Sequence, residues 1–420
     1  MFPRFCIAAT LLVLSAVPAM AQRPAQNEGA RQARAPQAEG GFAAAPRFPL
    51  GQGPWVYDTY SPNGKIKVSV VTRGIRNPWG MTFLPNGDLL VAETQGKLRL
   101  IRNGKLEDAP VTGIPEVAKG GNVSFMDVVL HPQFASNRYV YFTYMKPGKS
   151  PKGEDYYATI VMARGKLNEA ETALTEVKDI FTADAWSSVR GGYGSRIKFA
   201  PDGTLFLTSA FRRDPDRPQS LGSHISKVLH LNEDGSPAKD NPFIGQAGAL
   251  PEIWSLGHRA IEGIAWHPVT GELWASEHGP LGGDEVNIIR KGANYGWPLV
   301  SFGRDYDGTR VSVVPVKEGV QLPEIIWVPS IATSGLMFYT GDKFPKWKNN
   351  MFVGSMMKAR VAGTGHIERI EFNAEGEQKR ESLLEDLHQR VRDVQQGADG
   401  FIYVLTEESD GALLKIEPLP

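Results

Sequence analysis

The chain has 420 residues and carries 46 basic and 46 acidic side chains, so its formal net charge is zero. No long basic run interrupts this balance, which argues against nucleic acid or an anionic membrane surface as a partner. The single cysteine, Cys6, lies in the N-terminal apolar segment. Disulfides, a cysteine nucleophile and thiolate metal sites are therefore excluded from the rest of the chain.

The N-terminus has the pattern of a secretory signal peptide over residues 1–21. Arg4 precedes an apolar run, and Ala19-Met20-Ala21 forms a small-x-small cleavage site. The apolar run is too short to span a membrane, so we expect a periplasmic or secreted mature chain without a membrane span; an uncleaved anchor is the alternative. Residues 22–50 are rich in Ala, Arg, Gln, Gly and Pro without apolar periodicity, which predicts a disordered leader.

The remainder repeats one short phrase: an apolar strand, a tight turn of the Pro-Asn-Gly or Pro-Asp-Gly type, and a second apolar strand. Copies recur at intervals of roughly 45 to 70 residues, which is typical of β-propeller blades. They begin near residues 77, 125, 194, 262, 334 and 392. Helical periodicity is nearly absent. The sequence therefore predicts an all-β fold, a six-bladed β-propeller over residues 51–420.

Four motifs give the chain a specific resemblance. They are Glu277-His-Gly-Pro, Gly283-Asp-Glu-Val-Asn, Asn294-Tyr-Gly-Trp-Pro and Arg390-Val-Arg-Asp-Val. Together they resemble the soluble PQQ-dependent aldose sugar dehydrogenases of the glucose/sorbosone dehydrogenase family. The resemblance implies an oxidoreductase that holds pyrroloquinoline quinone (PQQ) and Ca²⁺ at one mouth of the propeller. It also implies a sugar or sugar-derived substrate, hydride transfer from a sugar hydroxyl to the quinone, and an electron acceptor.

The resemblance assigns ligand-binding roles to several residues. The calcium-binding carbonyls fall on Gly279 and Pro280, and the arginines that clamp the cofactor carboxylates fall on Arg390 and Arg392. Arg259 and Arg196 also occupy family arginine positions, and Asn122 replaces a cofactor-binding glutamine. Arginine pairs bidentately with carboxylates, so this set suits a tricarboxylated ligand. The alternative is that the arginines pair with internal acids such as Asp393 or Glu262.

The chain departs from the family at the proton acceptor. The position of the family's catalytic histidine is Gly192, which cannot accept a proton, and Ala260 and Met357 replace other site residues. Glu262 stands where the family has a neutral glutamine, so it brings a carboxylate to the pocket, and burial would raise its pKa. The alternative is a Glu262 paired with Arg259 or Arg196.

Three residues form the predicted catalytic set: Arg196, Glu262 and His278. Tyr193 and His258 are further candidates for the base, and an orienting role is the alternative for His278.

A second calcium site is predicted on Ser301, Gly303 and Asp305, which follow the Asn-Tyr-Gly-Trp-Pro turn. The family's glutamate ligand is replaced by Gln321, and calcium tolerates this because it also accepts carbonyl oxygens. The alternative is that Asp305 only caps its own turn.

The sequence thus favours a periplasmic PQQ-dependent aldose sugar dehydrogenase-like oxidoreductase. Two alternatives remain open because of Gly192. One is a divergent propeller enzyme of another class that keeps the cationic pocket. The other is a non-catalytic binding propeller that has lost the quinone chemistry.

Overall fold

The structure, a computed structural model, describes residues 48–60, 64–191, 194–210 and 213–419. These residues form six antiparallel β-sheets in a ring, in which the first strand of each sheet contacts the first strand of the next. The predicted six-bladed propeller is thereby confirmed. The predicted signal peptide, most of the predicted leader, and Gly192 and Tyr193 lie outside the described residues.

The first three blades each have four strands, ordered from the central channel outwards. Blade 1 contains β3 (Pro78–Phe83), β4 (Leu89–Glu93), β5 (Lys97–Arg102) and β6 (Lys105–Leu106). Blade 2 contains β7 (Phe125–Leu130), β8 (Tyr139–Pro147), β9 (Ala158–Leu167) and β10 (Leu174–Thr182). Blade 3 contains β11 (Ile197–Phe199), β12 (Leu205–Ser209), β13 (Lys227–Leu231) and β14 (Ile253–Leu256).

The next two blades repeat this plan, and short helices are confined to the connections. Blade 4 contains β15 (Ile261–Trp266), β16 (Leu273–Glu277), β17 (Asp284–Ile288) and β18 (Ile325–Trp327). Blade 5 contains β19 (Thr333–Phe338), β20 (Met351–Ser355), β21 (His366–Asn373) and β22 (Gly376–Leu383). In the described part of the chain, the helices are α1 (Phe134–Asn137) and three 3₁₀ turns, Arg217–Gln219, Pro345–Trp347 and Glu385–Leu387.

Blade 6 closes the ring by joining the two ends of the described chain. Its inner strands are β23 (Val391–Gln396), β24 (Ile402–Thr406) and β25 (Gly411–Leu419), and its outer strands are β2 (Lys65–Ile75) and β1 (Trp55–Asp58). β2 pairs with β25 along its length, from Lys65 opposite Leu419 to Ile75 opposite Gly411. Closure covers the strand edges that an open sheet would expose.

The apolar core is divided into six clusters, one between each pair of neighbouring blades. The predicted turns reverse the chain between neighbouring strands, and the apolar side chains of these strands form the clusters. In blade 1, for example, the Gly87 amide donates to the Leu84 carbonyl at 2.9 Å, and Gly87 has a φ of 92°. Glycine adopts that backbone conformation without steric cost, which explains the Pro-Asn-Gly phrase.

The antiparallel order decides which connections share a face of the ring. Loops that precede the first strand of a blade open on the same face as loops that join its second and third strands. Candidate site residues from both kinds of loop therefore meet at one mouth of the channel. Among the residues that the structure describes, no helix is long and apolar enough to cross a bilayer.

Candidate active site

Arg196 lies inside the channel just before β11, where it bridges acids from blades 2 and 6. Its Nη1 is 3.3 Å from Asp127 Oδ1, and its Nη2 is 3.3 Å from Asp393 Oδ1. Its Nε donates to the Glu262 carbonyl at 2.6 Å, and the guanidinium stacks 4.2 Å from the Trp79 ring centre. Burial raises the pKa of Asp127 to about 6, against the opposing pull of Arg196. Arg196, at the start of blade 3, thus contacts blades 1, 2, 4 and 6.

Two further arginines, Arg390 and Arg392, share one carboxylate. Glu407, in the loop after β24, accepts from Arg392 Nη2 at 2.6 Å and from Arg390 Nη2 at 3.0 Å. Burial acts to raise the pKa of Glu407, but Arg392 and Arg390 outweigh it and hold that pKa below its ordinary value. Glu407 therefore stays ionised and fixes both guanidiniums at the mouth.

Glu262, on β15, is the second acid of this cluster. Its Oε2 is 3.2 Å from Arg392 Nη1, and the Gly194 amide also donates to its carboxylate. Only 9% of the side chain is exposed. Burial raises the pKa of Glu262 to about 7, although Arg392 and Arg196 act to lower it. Glu262 is thus a carboxyl group that exchanges its proton near neutral pH.

Arg259 precedes β15 and has a different environment. Its amide donates to Glu277 Oε2 at 2.6 Å, and its Nη1 donates to the His278 carbonyl at 2.9 Å. Its Nη2 donates to the Tyr306 hydroxyl at 3.3 Å, and the guanidinium stacks over Trp297. No carboxylate of the described residues pairs with this guanidinium, and its Nε is buried without a hydrogen-bond partner there. Arg259 is therefore a positive charge that a ligand can neutralise.

His278 lies between the two arginine groups. Burial, Arg259, Arg392 and Arg390 all act to lower its pKa, which falls to about 3, while a hydrogen bond with the Thr333 backbone opposes them. Its Nε2 is buried and has no hydrogen-bond partner among the described side chains and backbone. His278 is thus neutral and has a buried nitrogen whose hydrogen-bonding capacity no described residue uses.

His258 is fully buried behind Arg259. Its ring nitrogens lie 2.9 Å from Ser255 Oγ and 3.2 Å from Glu277 Oε1, and the ring stacks on Tyr295 with centres 4.3 Å apart. This ring has no route to a substrate. Because Glu277 also holds the Arg259 amide, the His258–Glu277 pair shapes the backbone on which Arg259 is mounted.

The two predicted metal-binding loops pack against each other. A β-bridge joins Leu281 to Arg304, and a methyl group on Gly303 would meet the Gly282 carbonyl oxygen at 2.1 Å. Asp284 shapes the first loop by accepting from the Gly279 amide at 2.8 Å. Neither the Gly279 nor the Pro280 carbonyl accepts a hydrogen bond from the residues that the structure describes.

Asp305 and Ser301 serve the turns of the second loop. Asp305 Oδ1 accepts from the Tyr306 amide at 2.8 Å, and Ser301 Oγ accepts from the Gly303 amide at 3.1 Å. Within residues 48–60, 64–191, 194–210 and 213–419, no three His, Cys, Asp or Glu side chains cluster to hold a metal ion. Calcium binding here would depend on backbone carbonyls, as the resemblance implies.

The predicted site residues fall into two groups. One group surrounds the mouth: Arg196, Arg259, Glu262, His278, Gly279, Pro280, Arg390 and Arg392. The other flanks it: Ser301, Gly303 and Asp305 lie in the adjoining loop, and the Asn122 amide donates to the Arg190 carbonyl at 3.2 Å, next to the undescribed pair 192–193.

The pairings partly follow the alternatives that the sequence left open. Arg196 pairs with Asp393, and Glu262 pairs with Arg392 instead of Arg259. Sequence reasoning missed Glu407 and Tyr306. The position of Glu407 just after an inner strand of the last blade, equivalent to that of His278 in blade 4, was the available signal.

Comparison with known proteins agrees with this architecture. The sequence profile of the Glucose / Sorbosone dehydrogenase family matches residues 75–415. The chain belongs to this family. Its relatives include the aldose sugar dehydrogenase YliI of Escherichia coli, with 36% identity over 84% of this chain and 93% of that protein. The family assignment makes the chain a sugar dehydrogenase-like enzyme.

Solved structures of the family show the same fold. The soluble aldose sugar dehydrogenase of Escherichia coli in its apo form superposes with a TM-score of 0.79, at 35% identity, covering 84% of this chain and all (100%) of that one. The PQQ-bound aldose sugar dehydrogenase of Streptomyces coelicolor superposes with a TM-score of 0.66 at 22% identity, covering 88% of this chain and 100% of that one. The latter likeness concerns the fold alone.

Proposed function

We propose that the protein is a PQQ-dependent aldose dehydrogenase that oxidises a sugar hydroxyl by transferring hydride to the quinone. The observation that carries this proposal is the guanidinium of Arg259, which pairs with no carboxylate of the described residues and faces the same mouth as Arg390 and Arg392. The aldose sugar dehydrogenase of Streptomyces coelicolor, which has the same fold, binds PQQ. Anionic ligands with several carboxylates suit such a group of arginines.

The residues present fit the cofactor. Three buried nitrogens, Arg259 Nε, Arg392 Nε and His278 Nε2, lack partners among the described residues. Arginine nitrogens donate to carboxylates, and burial strengthens such bonds because little solvent competes. When bound, PQQ would supply an electrophilic quinone that accepts a hydride, which the side chains of the protein cannot do.

The residues of the chain perform the binding and orientation. Arg259, Arg390 and Arg392 would hold the cofactor carboxylates, and Glu407 keeps the latter two arginines in place. The Gly279 and Pro280 carbonyls are free to bind Ca²⁺, a hard cation that prefers oxygen ligands. Neutral His278 would accept a hydrogen bond from a sugar hydroxyl at Nε2.

The test is a titration of the purified protein with PQQ, with and without Ca²⁺, followed by aldose-dependent reduction of an artificial electron-acceptor dye. We expect saturable binding that Ca²⁺ strengthens, and dye reduction by aldoses. Absence of binding at every Ca²⁺ concentration would contradict the proposal and favour a propeller enzyme of another class. Binding without turnover would favour the non-catalytic alternative.

A matched pair of variants tests the role of Arg259. Arg259→Leu is expected to weaken PQQ binding about 10- to 100-fold, since a hydrogen bond to a charged group contributes about 1.5–3 kcal/mol. Arg290→Leu is the control, because Arg290 follows β17 on the opposite face and pairs with Glu272. Equal affinities of the two variants would refute a cofactor role for Arg259.

We also propose export to the periplasm, on the basis of the signal-like segment at residues 1–21. N-terminal sequencing of protein from the periplasmic fraction should find Gln22 as the first residue. An intact Met1 in the cytoplasmic fraction would contradict export.

A further inference from the structure

Oxidation of an alcohol by hydride removal needs a group that takes the hydroxyl proton. Such a group must lie at the mouth, must not be committed to other partners, and must be able to hold a proton near the working pH. Among the described residues, four acids form ion pairs with Arg196, Arg390 or Arg392: Glu262, Glu407, Asp127 and Asp393.

Three of these acids are committed. Glu407 Oε2 accepts hydrogen bonds from guanidinium nitrogens of both Arg390 and Arg392, and these bonds stabilise the ionised carboxylate. Asp127 and Asp393 lie deeper, and both contact Arg196. Asp127 also accepts a hydrogen bond from the Ile197 amide at 2.8 Å, and Asp393 accepts one from the Met81 amide at 3.2 Å. Protonating Asp127 or Asp393 would weaken bonds that join different blades, and protonating Glu407 would weaken its hold on Arg390 and Arg392.

Glu262 differs from them in its contacts. One arginine nitrogen, Arg392 Nη1, bonds to its Oε2 at 3.2 Å, and the Gly194 amide is its other donor. A carboxylate has about four lone-pair sites, so these two donors leave capacity for a substrate hydroxyl.

The backbone around Glu262 holds the carboxylate in position. Its carbonyl accepts from Arg196 Nε at 2.6 Å, and Arg196 is in turn held by Asp127 and Asp393. A methyl group on the next residue, Gly263, would meet the Ser334 carbonyl oxygen at 2.5 Å, so β15 lies directly against β19 here. Positioned bases of this kind satisfy the geometric requirement for general-base catalysis.

We propose that Glu262 is the general base of this enzyme and accepts the proton of the reacting sugar hydroxyl. This inference rests on the proposed function. In the step, the O–H bond breaks and its proton moves to the Glu262 carboxylate. The C–H bond on the carbon that bears this hydroxyl group also breaks. Its hydrogen leaves with the bonding electron pair as hydride, which the PQQ of the proposed function accepts. The sugar carbon is oxidised, the cofactor is reduced, and the proton later leaves Glu262 for solvent.

The electrostatic environment agrees with this role. The charged groups that act on Glu262 are Arg392 on β23, Arg196 before β11 and Glu407 after β24. Burial outweighs the two arginines and raises the pKa of Glu262 to about 7. A base of this pKa is half deprotonated near neutral pH, where transfer is most effective.

The experiment compares Glu262→Gln and Glu262→Asp with the wild type and with Glu272→Gln, a control at the partly exposed turn that begins β16. PQQ affinity is measured first by direct titration, and kcat is then measured against pH with an artificial acceptor. We expect wild-type kcat to rise with pH, with a midpoint near 7. The kcat of Glu262→Gln should be about 10²- to 10⁴-fold lower than that of the wild type, and it should no longer rise with pH around 7.

A third variant at this position, Glu262→Ala, separates proton transfer from a structural role. Glu262→Ala should regain part of its kcat when formate is added, because formate can take the place of the missing carboxylate. A purely structural residue would not show this rescue. Glu262→Asp keeps a carboxylate, so its kcat should be reduced but should still rise with pH.

The outcomes distinguish this inference from the proposed function. A wild type that binds no PQQ refutes the proposed function, and the base assignment with it. A wild type that binds PQQ and oxidises aldoses, together with a fully active Glu262→Gln, refutes the base assignment alone. Loss of PQQ binding in all three Glu262 variants, or transfer of the pH limb to a His278→Gln variant, would also overturn it.

Discussion

A single carboxylate at position 262 changes the chemistry of the mouth. Glu262 is almost fully buried, yet its only side-chain cation partner within hydrogen-bond distance in the described structure is Arg392. Taking a carboxylate out of water costs free energy, and one ion pair does not fully compensate for it. The raised pKa of Glu262 reports that imbalance. The molecule therefore keeps at its mouth a group that is unfavourable for stability, as is common at functional sites.

The pH dependence of stability tests this imbalance without any cofactor. The folded pKa of Glu262, about 7, lies above the ordinary value of 4.5. Between these values the folded state keeps the proton and the unfolded state does not, so this group's contribution to stability falls as pH rises and levels off above 7. Glu262→Gln has no carboxyl group at this position, so its free energy of unfolding does not include this decrease with pH. We expect the melting temperature of Glu262→Gln, relative to wild type, to increase from pH 5 to pH 7.5.

The comparison requires a surface control. Glu272→Gln, at the turn before β16, should follow the wild-type profile across the same pH range. A constant difference between Glu262→Gln and wild type from pH 5 to 7.5 would show that burial does not raise the pKa of Glu262.

At the level of elements, the candidate metal site depends on close packing of two loops. Gly279 and Gly303 lie where the loop after β16 meets the loop between β17 and β18. A methyl group on Gly279 would lie 2.3 Å from the Gly282 carbonyl oxygen. Both positions require glycine because a side chain has no room there. Backbone conformation is not the reason, since neither glycine has a positive φ. The first loop is thus folded tightly on itself, and Gly303 of the second loop packs directly against it.

Gly303→Ala should disrupt this packing. The added methyl would sit 2.1 Å from the Gly282 carbonyl oxygen, so the loops must separate. We expect a decrease of about 1–3 kcal/mol in the free energy of unfolding, as for other overpacked sites, and loss of any stabilisation by Ca²⁺. Denaturant titration with and without Ca²⁺ measures both effects.

Gly51→Ala is a suitable control for that substitution. Its methyl would lie 3.4 Å from the Trp55 ring, an ordinary contact distance, and its φ is not positive. The change in stability should stay within about 0.5 kcal/mol. If Gly303→Ala were as stable as Gly51→Ala and still responded to Ca²⁺, the two loops would not form a common site.

At the level of the whole molecule, the site exists only when the ring is closed. Arg196, Glu262 and Arg392 come from blades 3, 4 and 6, and they meet because the closed ring brings the first strands of these blades around one channel. Closure depends on β2, which comes from the start of the described chain and pairs with the final strand, β25.

Truncation tests this closure. Removal of residues 1–60 deletes the edge strand β1 and should leave a folded protein with a lower melting temperature. Removal of residues 1–76 also deletes β2, so blade 6 loses its pairing with β25 and the protein should be insoluble or unfolded. Soluble yield, size-exclusion chromatography and thermal denaturation measure the difference. Equal folding of both truncations would show that β2 does not close the ring.

The sequence alone determined the number of blades and most of the residues at the mouth. Each repeat carries its own strands and turn, and local patterns of this kind survive in any tertiary context. The motif around Arg390 and Arg392 and the run from Glu277 to Pro280 likewise place their residues at strand ends, where loops meet.

Only the tertiary structure decided which charges meet. Glu262 pairs with Arg392, 130 residues away, and Glu407 locks two arginines that sequence reasoning had left to internal acids or to a ligand. Arg259 pairs with no carboxylate in the described part of the chain, although acids are plentiful in the sequence. Such pairings depend on the angle between blades and on the depth of each side chain in the channel. Both arise from how six sheets pack into a ring, because the distance between two charges on different blades is set by that packing and by no local pattern.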